Sequence, residues 1–249
     1  MANDKCALIT GSSGYLGGAL LQAFHDAGYR VIGIDIKPPD ASIPIDAFVE
    51  ADLNRVATDD AFAEAVASEV RSAIGGMALH ALINNAAVQL LGRTEELRGG
   101  DWTQSLNVNV VAPFALVREF LPELEACHGS VVNVASIHAL LTKPRFIAYA
   151  TSKAALVGLT RALAVDLGPR VRVNAVCPAA IDTGMLRAGF DGREDLLQKL
   201  RDMHPARAIG TTSEVAAFVL MLASSEFPLM TGGVYPFDGA IGSRLHDPE

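Results

Sequence analysis

Short apolar runs alternate along the chain with longer stretches of helical periodicity. The pattern predicts strands at Cys6 to Thr10, Arg30 to Ile34, Ala47 to Glu50, Ala81 to Ile83, Ser130 to Ala135, Val171 to Val176 and Gly233 to Phe237. It predicts helices at Gly14 to Ala27, Asp59 to Ala73, Asp101 to Glu125, Phe146 to Leu167, Arg193 to Met203 and Thr212 to Ala223. This order favours an α/β protein of the Rossmann type, a doubly wound seven-stranded parallel sheet with helices on both faces. A (β/α)8 barrel is the alternative, and it would need an eighth unit.

Length and charge narrow the class of protein. The chain has 249 residues, half of them hydrophobic, so we expect a single domain over 1–249. Its net charge of -8 has the wrong sign for a nucleic-acid partner. No apolar run reaches the roughly 18 residues of a membrane span, so we expect a cytoplasmic protein without a membrane partner. Cysteines and histidines lack metal-ligand spacing, so no metal site is expected. Residues 182–205 mix charged and bulky apolar side chains and are expected to form a substrate loop.

A glycine-rich turn follows the first predicted strand. Gly11, Gly14 and Gly17 are spaced GxxGxxG and lead into a helix, a turn that lets backbone N–H groups face a pyrophosphate. The next strand is followed by Asp35, 18 residues after Gly17, where a carboxylate can accept hydrogen bonds from the adenosine ribose. The same charge would repel a 2′-phosphate, so the sequence favours NAD over NADP. Lys37, two residues further on, could offset part of that repulsion.

A tyrosine and a lysine lie four residues apart near the start of the fourth predicted helix. Tyr149 and Lys153 would share one face of that helix, about 6 Å apart along its axis. The pKa of a phenol is near 10, so a tyrosine that acts as a base at neutral pH needs a nearby cation. Ser136 lies 13 residues before Tyr149 and directly follows a predicted strand. Ligands of open parallel sheets gather outside the carboxyl ends of strands, so these three side chains are candidates for one site.

Together these motifs resemble the short-chain dehydrogenase/reductase family, from about Lys5 to Gly239. The residues that carry the resemblance are Thr10-Gly11…Gly17, Asp52-Leu53, Asn84-Asn85-Ala86, Asn109, Ser136, Tyr149-xxx-Lys153 and Asn174…Pro178…Thr183. It implies that Tyr149 is the general acid/base, that Ser136 holds the substrate oxygen, and that Lys153 lowers the tyrosine pKa and binds the nicotinamide ribose. Asn109 would hold a water in a proton relay. The expected dinucleotide contacts are Gly11, Ser13, Gly14, Tyr15, Leu16, Asp35, Asp52, Leu53, Asn85, Tyr149, Lys153, Ile181 and Thr183.

The spacing GxxGxxG departs from the single-domain branch of the family, since it is typical of longer members with an added substrate domain. Ala87 and Ala179 also stand where the family has glycine. We interpret the chain as an NAD-dependent oxidoreductase that interconverts a secondary alcohol and a ketone as its small-molecule substrates. The alternatives are an NAD-dependent epimerase or dehydratase and a non-catalytic dinucleotide-binding regulatory protein. The resemblance further implies a homo-oligomer, a tetramer or a dimer, with the helices Asp101 to Glu125 and Phe146 to Leu167 at its contacts.

Two polar residues near these motifs have roles that spacing alone does not decide. Asn107 lies two residues before Asn109, and only the family pattern separates the two. His138 lies two residues after Ser136 and is a candidate hydrogen-bond partner for the substrate.

Overall fold

The central sheet has the seven parallel strands that the sequence predicts. The computed structural model describes residues 5–190 and 192–245. Its strands are β1 (Lys5–Thr10), β2 (Tyr29–Asp35), β3 (Ala47–Glu50), β4 (Leu79–Asn84), β5 (Ser130–Val134), β6 (Arg172–Pro178), β7 (Ile181–Asp182), β8 (Gly210–Thr211) and β9 (Val234–Phe237). The sheet order is β3-β2-β1-β4-β5-β6-β9, whereas β7 and β8 form a separate parallel pair. Residues 1–4, 191 and 246–249 lie outside the described residues, so the extent of the domain stays a prediction.

Helices connect the strands and cover the sheet. They are α1 (Tyr15–Asp26), α2 (Leu53–Val56), α3 (Asp60–Ile74), α4 (Gly99–Leu106), α5 (Ala112–Glu119), α6 (Leu121–Glu125), α7 (Ile147–Leu167), α8 (Gly184–Phe190), α9 (Glu194–Met203) and α10 (Thr212–Ala223). Most predicted boundaries fall within two residues of these. The short elements α2, α8, β7 and β8 were not predicted, because so few residues carry no readable period. Within the described ranges, no helix has both the length and the apolar character needed to cross a membrane.

The prediction of one continuous helix from Asp101 to Glu125 is wrong. A π-helical turn over Asn107–Val111 separates α4 from α5, and the Ala112 N–H donates to the carbonyl of Asn107, five residues earlier. Pro113 has no N–H to donate to the carbonyl of Asn109, so the α-helical bond pattern is interrupted at this point. A second break falls at Phe120, just before a short helix with a proline in its first turn. Apolar periodicity continues across both breaks, which is why it did not reveal them.

Two hydrophobic clusters pack on opposite faces of the sheet. Leu8 and Leu82 belong to the cluster covered by α3, α5 and the end of α7, whereas Ile9 and Ile83 belong to the cluster covered by α1 and α10. Neighbouring residues of one strand therefore point into different layers, as expected for a sheet buried on both faces. The connections reverse direction between β1 and β4, and a crevice opens at the carboxyl ends of strands where this happens.

Candidate active site

The glycine-rich turn packs tightly between β1, β4 and α1. Gly11 has a φ of +65°, and a Cβ there would lie 2.7 Å from the Cα atom of Ala86. A Cβ on Gly17 would lie 2.0 Å from the carbonyl oxygen of Gly11, so this close approach of α1 requires glycine. Gly14 precedes α1 and provides no side-chain cap. The first N–H groups of the helix therefore keep their donors for an anion, because they have no partner within the helix.

Asn85 fastens the glycine-rich turn to the end of β4. Its Nδ2 donates to the carbonyl oxygens of Thr10 at 3.0 Å and Gly11 at 3.1 Å. In return, Thr10 Oγ1 accepts from the N–H groups of Asn85 at 3.0 Å and Ala86 at 3.1 Å. The Asn85 amide is thus used to shape the turn, and the ribose contact implied for it stays a prediction.

Asp35 joins the end of β2 to the same turn. Its Oδ2 accepts from the Ser13 N–H at 2.9 Å, and its Oδ1 accepts from the Ile36 N–H at 2.7 Å. The Ser13 hydroxyl also donates to the carbonyl of Lys37. Each carboxylate oxygen has a second lone pair, so Asp35 can hold the turn and still accept hydrogen bonds from ribose hydroxyls.

A cleft of about 500 Å³ opens between the glycine-rich turn, Asp35 and the residues after β3 and β4. The predicted dinucleotide contacts that line it are Gly11, Gly14, Leu16, Asp35, Asp52, Leu53 and Asn85. Asp52 caps α2 by accepting from the Asn54 N–H at 2.8 Å, which fixes its carboxylate at the cleft wall. Leu16, Leu53 and the neighbouring Val108 give the cleft apolar surface, so it combines a polar anion end with walls suited to a flat ring.

Tyr149, Lys153 and Ser136 come together just beyond the carboxyl end of β5. Lys153 is buried on α7, its Nζ donates to the carbonyl oxygen of Val134 at 2.7 Å, and Nζ lies 5.8 Å from the centre of the Tyr149 ring. Ser136 follows β5 by two residues, and its Oγ accepts from the His138 N–H at 3.1 Å. The structure thus brings together the three residues that the sequence placed in one site.

Burial sets the charges of this group. Burial raises the pKa of Tyr149, and a hydrogen bond with the Ser136 side chain opposes that rise. Burial lowers the pKa of Lys153 to about 8. At pH 7 the lysine is still mainly protonated, and its ammonium lies 5.8 Å from the centre of the phenol ring. The net shift of the Tyr149 pKa is nevertheless upward, so the lowering implied for Lys153 stays a prediction.

Asn109 ties the loop after β4 to α7. Its Oδ1 accepts from the Val88 N–H at 2.8 Å, and its Nδ2 donates to the Val88 carbonyl and to Ser152 Oγ, both at 2.9 Å. Ser152 Oγ in turn donates to the carbonyl of Tyr149 at 2.7 Å. Both amide hydrogens of Asn109 are therefore used, and the water predicted for this residue would need one of its oxygens. The backbone carbonyl is suited to it, because Pro113 cannot supply the usual helical donor.

The structure gives different roles to Asn107 and Asn109, which their spacing in the sequence could not distinguish. Asn107 Nδ2 donates to Asn54 Oδ1 at 3.0 Å, so this side chain joins the π turn to α2. Asn109 is fully buried next to α7. Sequence reasoning missed Ser152, although its place between Tyr149 and Lys153 was a signal, since a hydroxyl there lies one turn after the tyrosine.

An aromatic cluster forms one wall beside Tyr149. The His138 ring stacks on Phe146 with 4.2 Å between ring centres, and it meets the edge of the Tyr149 ring at 5.9 Å. Lys143 Nζ lies 4.6 Å from the centre of the Phe146 ring. Burial and the nearby charge of Lys143 lower the pKa of His138, so its imidazole is neutral at pH 7. Sequence reasoning missed Phe146, because a single aromatic residue at the start of a helix carries no pattern.

The predicted substrate loop, residues 182–205, extends from a base formed by two short strands. β7 and β8 pair at this base, with Ile181 opposite Gly210. Arg187 binds Asp182 through two hydrogen bonds of 2.7 and 2.5 Å, which lower the pKa of the carboxyl. Thr183 Oγ1 accepts from the Leu186 N–H at 3.1 Å and fixes the first turn of α8. Ile181 and Thr183 thus sit at the base of the loop, outside the wall of the 500 Å³ cleft, and their predicted cofactor contacts stay predictions.

Comparison with known proteins identifies the family. A family model described as Enoyl-(Acyl carrier protein) reductase matches residues 13–241. Protein FixR of Bradyrhizobium diazoefficiens is 35% identical over 244 residues, 94% of this chain and 86% of that protein. The NAD-dependent glycerol dehydrogenase of Listeria innocua is 30% identical over 240 residues, 95% of this chain and 93% of that protein. The chain belongs to the short-chain dehydrogenase/reductase family, and it is an oxidoreductase that acts on CH–OH groups.

Solved structures agree with this assignment. Ligand-free aldohexose dehydrogenase of Thermoplasma acidophilum superposes with a TM-score of 0.89 at 30% identity, covering 99% of this chain and 98% of that one. Among other structures of similar fold, one is complexed with NADH and another has NADP bound. These neighbours include both dinucleotides, so membership of the family does not by itself select NAD or NADP.

Proposed function

We propose that the chain is an NAD-dependent oxidoreductase that interconverts a secondary alcohol and a ketone. In this proposal Tyr149 is the general acid/base, assisted by Ser136, Lys153 and Asn109. The observation that carries the proposal is the convergence of the first three side chains at the end of β5, next to the cleft of the glycine-rich turn. The reaction is a hydride transfer, and the protein supplies position and proton transfer rather than covalent chemistry.

The residues of the cleft fit a nicotinamide dinucleotide. Close packing at Gly11 and Gly17 brings the uncapped start of α1 to the edge of the sheet, where a pyrophosphate needs N–H donors. Asp35 would bind the adenosine ribose, and Asp52 with Leu53 would border the adenine. When bound, the oxidised nicotinamide ring accepts the hydride and adds a positive charge to the site.

Tyr149 would take the hydroxyl proton of the substrate on its phenol oxygen as the carbinol hydride leaves. Ser136 would hold the substrate oxygen, because its hydroxyl lies within hydrogen-bonding reach of the tyrosine. Lys153 is fixed through the Val134 carbonyl, so its ammonium keeps a constant place beside the phenol. Asn109, through Ser152, holds the backbone of the tyrosine in register with the loop after β4. The role of Tyr149 as a base depends on Lys153, since a phenol that is buried without a nearby cation would stay protonated at neutral pH.

Removing the phenol oxygen of Tyr149 tests its proposed role as the general acid/base. Tyr149→Phe should keep NADH binding, measured by fluorescence, and lose about 10²–10⁴-fold in turnover, measured by NADH absorbance. Tyr235→Phe is the matched control, because Tyr235 lies on β9 and packs on Phe218 away from this site. Unchanged turnover in Tyr149→Phe would refute the proposed role. Net conversion of a substrate without net NADH formation would instead identify the epimerase or dehydratase that GxxGxxG spacing favours, and absence of turnover across a broad alcohol panel would favour the regulatory alternative.

NAD is the proposed cofactor because of Asp35. A 2′-phosphate would lie against a carboxylate that the Ser13 and Ile36 N–H groups hold at the end of β2. Wild-type protein should therefore bind NADH more tightly than NADPH. Asp35→Asn removes the charge and keeps the shape, so the ratio of the two dissociation constants should move towards NADPH by about tenfold. A wild-type preference for NADPH would contradict the proposal, and Lys37→Gln would then test whether that lysine binds the phosphate.

Polyols and sugars are the first substrates to screen. The relatives include proteins described as glycerol, D-threitol and probable galactose dehydrogenases. In this chain the wall beside Tyr149 is the aromatic cluster of His138 and Phe146, and its neutral imidazole can bond a second hydroxyl of the substrate. His138→Phe keeps the stacked ring and removes the hydrogen bond. It should raise KM for a diol much more than KM for the corresponding mono-alcohol, and equal changes would contradict this role.

We also propose a homo-oligomer, a tetramer or a dimer, formed through α5 and α7. Val165 on α7 is 85% exposed and Phe114 on α5 is 44% exposed, although both helices are largely apolar. Exposed aliphatic and aromatic side chains on helices are typical of subunit contacts. Light scattering gives the stoichiometry, and a monomer at micromolar concentration would refute the proposal. A cytoplasmic location stays a prediction.

A further inference from the structure

The Tyr15 side chain reaches from the glycine-rich turn to the base of the substrate loop. A Cβ on Gly184 would lie 2.3 Å from the Tyr15 phenol oxygen and 2.7 Å from the ring carbon that carries it. The ring edge therefore lies directly against the backbone of Gly184, in space that a side chain at 184 would fill. Tyr15 as a whole is 60% exposed, so burial in the core does not explain where the ring lies.

Both ends of this contact are held in place. Tyr15 is the first residue of α1, and the packing of Gly17 on Gly11 fixes the start of that helix. Gly184 is the first residue of α8, which the Asp182–Arg187 pair and the pairing of β7 with β8 anchor. The contact thus joins the start of α1 to the start of α8, and it breaks when the phenol side chain rotates away or when the loop that contains α8 moves.

We propose that Tyr15 is a positioning residue that straps the substrate loop to the pyrophosphate end of the cofactor cleft. Tyr15 is itself the first residue of α1, and the start of that helix is where a pyrophosphate would bind. A dinucleotide that is bound there leaves only after the ring moves off Gly184, so the strap slows cofactor release and holds Thr183 near the cofactor. The inference rests on the proposed function for the identity of the ligand, a nicotinamide dinucleotide. It goes beyond that function in assigning to Tyr15 control over how fast the ligand is released.

Trypsin cleavage of the cofactor-free protein tests the contact itself. Without the strap the substrate loop opens more often, so Tyr15→Ala should be cleaved at Arg187 and Arg193 about tenfold faster than wild type. Gly184→Ala should behave like Tyr15→Ala, because the new methyl displaces the far end of a flexible side chain. Gly189→Ala is the matched control in the same helix, since a methyl there meets no atom within 4 Å, and it should not raise the cleavage rate. Equal cleavage of wild type and Tyr15→Ala would overturn the proposal.

Stopped-flow release of NADH tests the consequence. Tyr15→Ala and Gly184→Ala should each raise the dissociation rate about tenfold, with little change in the association rate. The double variant Tyr15→Ala, Gly184→Ala should be no faster than either single one, since both changes break the same contact. Additive effects on the dissociation rate in the double variant, or an unchanged dissociation rate in Tyr15→Ala, would overturn the proposal.

The two experiments separate this inference from the proposed function. If wild-type protein binds no NADH, the proposed cofactor is wrong, and cleavage of the cofactor-free variants still decides whether Tyr15 holds the loop. If NADH binds and turns over but release is unchanged in Tyr15→Ala, the proposed function stands and the strap is refuted.

Discussion

Replacing Lys153 with methionine should make the cofactor-free protein more stable near neutral pH while removing its activity. The lysine is 2% exposed, and burial lowers its pKa from the usual 10.5 to about 8. At pH 7 the folded protein must therefore keep a buried ammonium, at a cost of about 3 kcal/mol relative to the unfolded chain. Methionine fills a similar volume without a charge, but it loses the Nζ bond to the Val134 carbonyl, worth about 1–2 kcal/mol. The net gain at pH 7 should be about 1–2 kcal/mol.

The pH dependence identifies the cause of that gain. Between pH 8 and 10.5 the folded state has released the Lys153 proton whereas the unfolded chain still binds it. The wild-type free energy of unfolding should therefore rise with pH through this window relative to Lys153→Met, and the advantage of the variant should shrink by about 2 kcal/mol between pH 7 and 10.

Urea unfolding at a fixed protein concentration, followed by circular dichroism at pH 7, 8, 9 and 10, measures both quantities. Lys199→Met is the matched control, because Lys199 is exposed on α9 and should leave the difference from wild type independent of pH. A difference between Lys153→Met and wild type that stays constant from pH 7 to 10 would refute the argument that a buried charge is the cause.

The remaining predictions concern the glycine-rich turn and β6. Gly17→Ala should abolish NADH binding, because its methyl would lie 2.0 Å from the Gly11 carbonyl oxygen. Gly158→Ala is the control, since its methyl meets open space, whereas Gly28→Ala would be strained by the φ of +79° at that position. Retained NADH binding in Gly17→Ala would contradict this argument. Arg172→Met should lower the free energy of unfolding by about 2–4 kcal/mol, because the guanidinium donates to two backbone carbonyls at the end of α10 and to two after it. Urea unfolding measures this, with Arg161→Met as the exposed-site control, and an Arg172→Met stability equal to wild type would contradict the prediction.

Much of the fold could be predicted because its information is local. A β-branched run such as Val131-Val132 and the apolar period of a helix such as α10 follow from neighbouring residues, and the predicted bounds of α10 agree with the structure. The prediction of one helix from Asp101 to Glu125 was wrong because it also used only this local pattern. Pro113 changes the backbone hydrogen bonding without disturbing the apolar period.

The contacts of the candidate site could likewise be predicted only where they are local in the sequence. Tyr149 and Lys153 could be paired from the sequence because a helix fixes the relation of residues four apart. The bonds of Asn109 to Val88 and Ser152 could not, since they join segments 21 and 43 residues away. Nor did the spacing of the glycines reveal that Asp35 also holds the turn through Ser13.

The sequence by itself determined the class of fold, the family and the residue types at the site, because each follows from short periods and from motifs of fixed spacing. Only the tertiary structure decided what those residues touch. Tyr15 meets Gly184, and the ammonium of Lys153 meets the Val134 carbonyl, through packing of elements far apart in the chain. Burial then set the charges, since a lysine has its ordinary pKa in any sequence and loses it only when neighbouring layers exclude water from it.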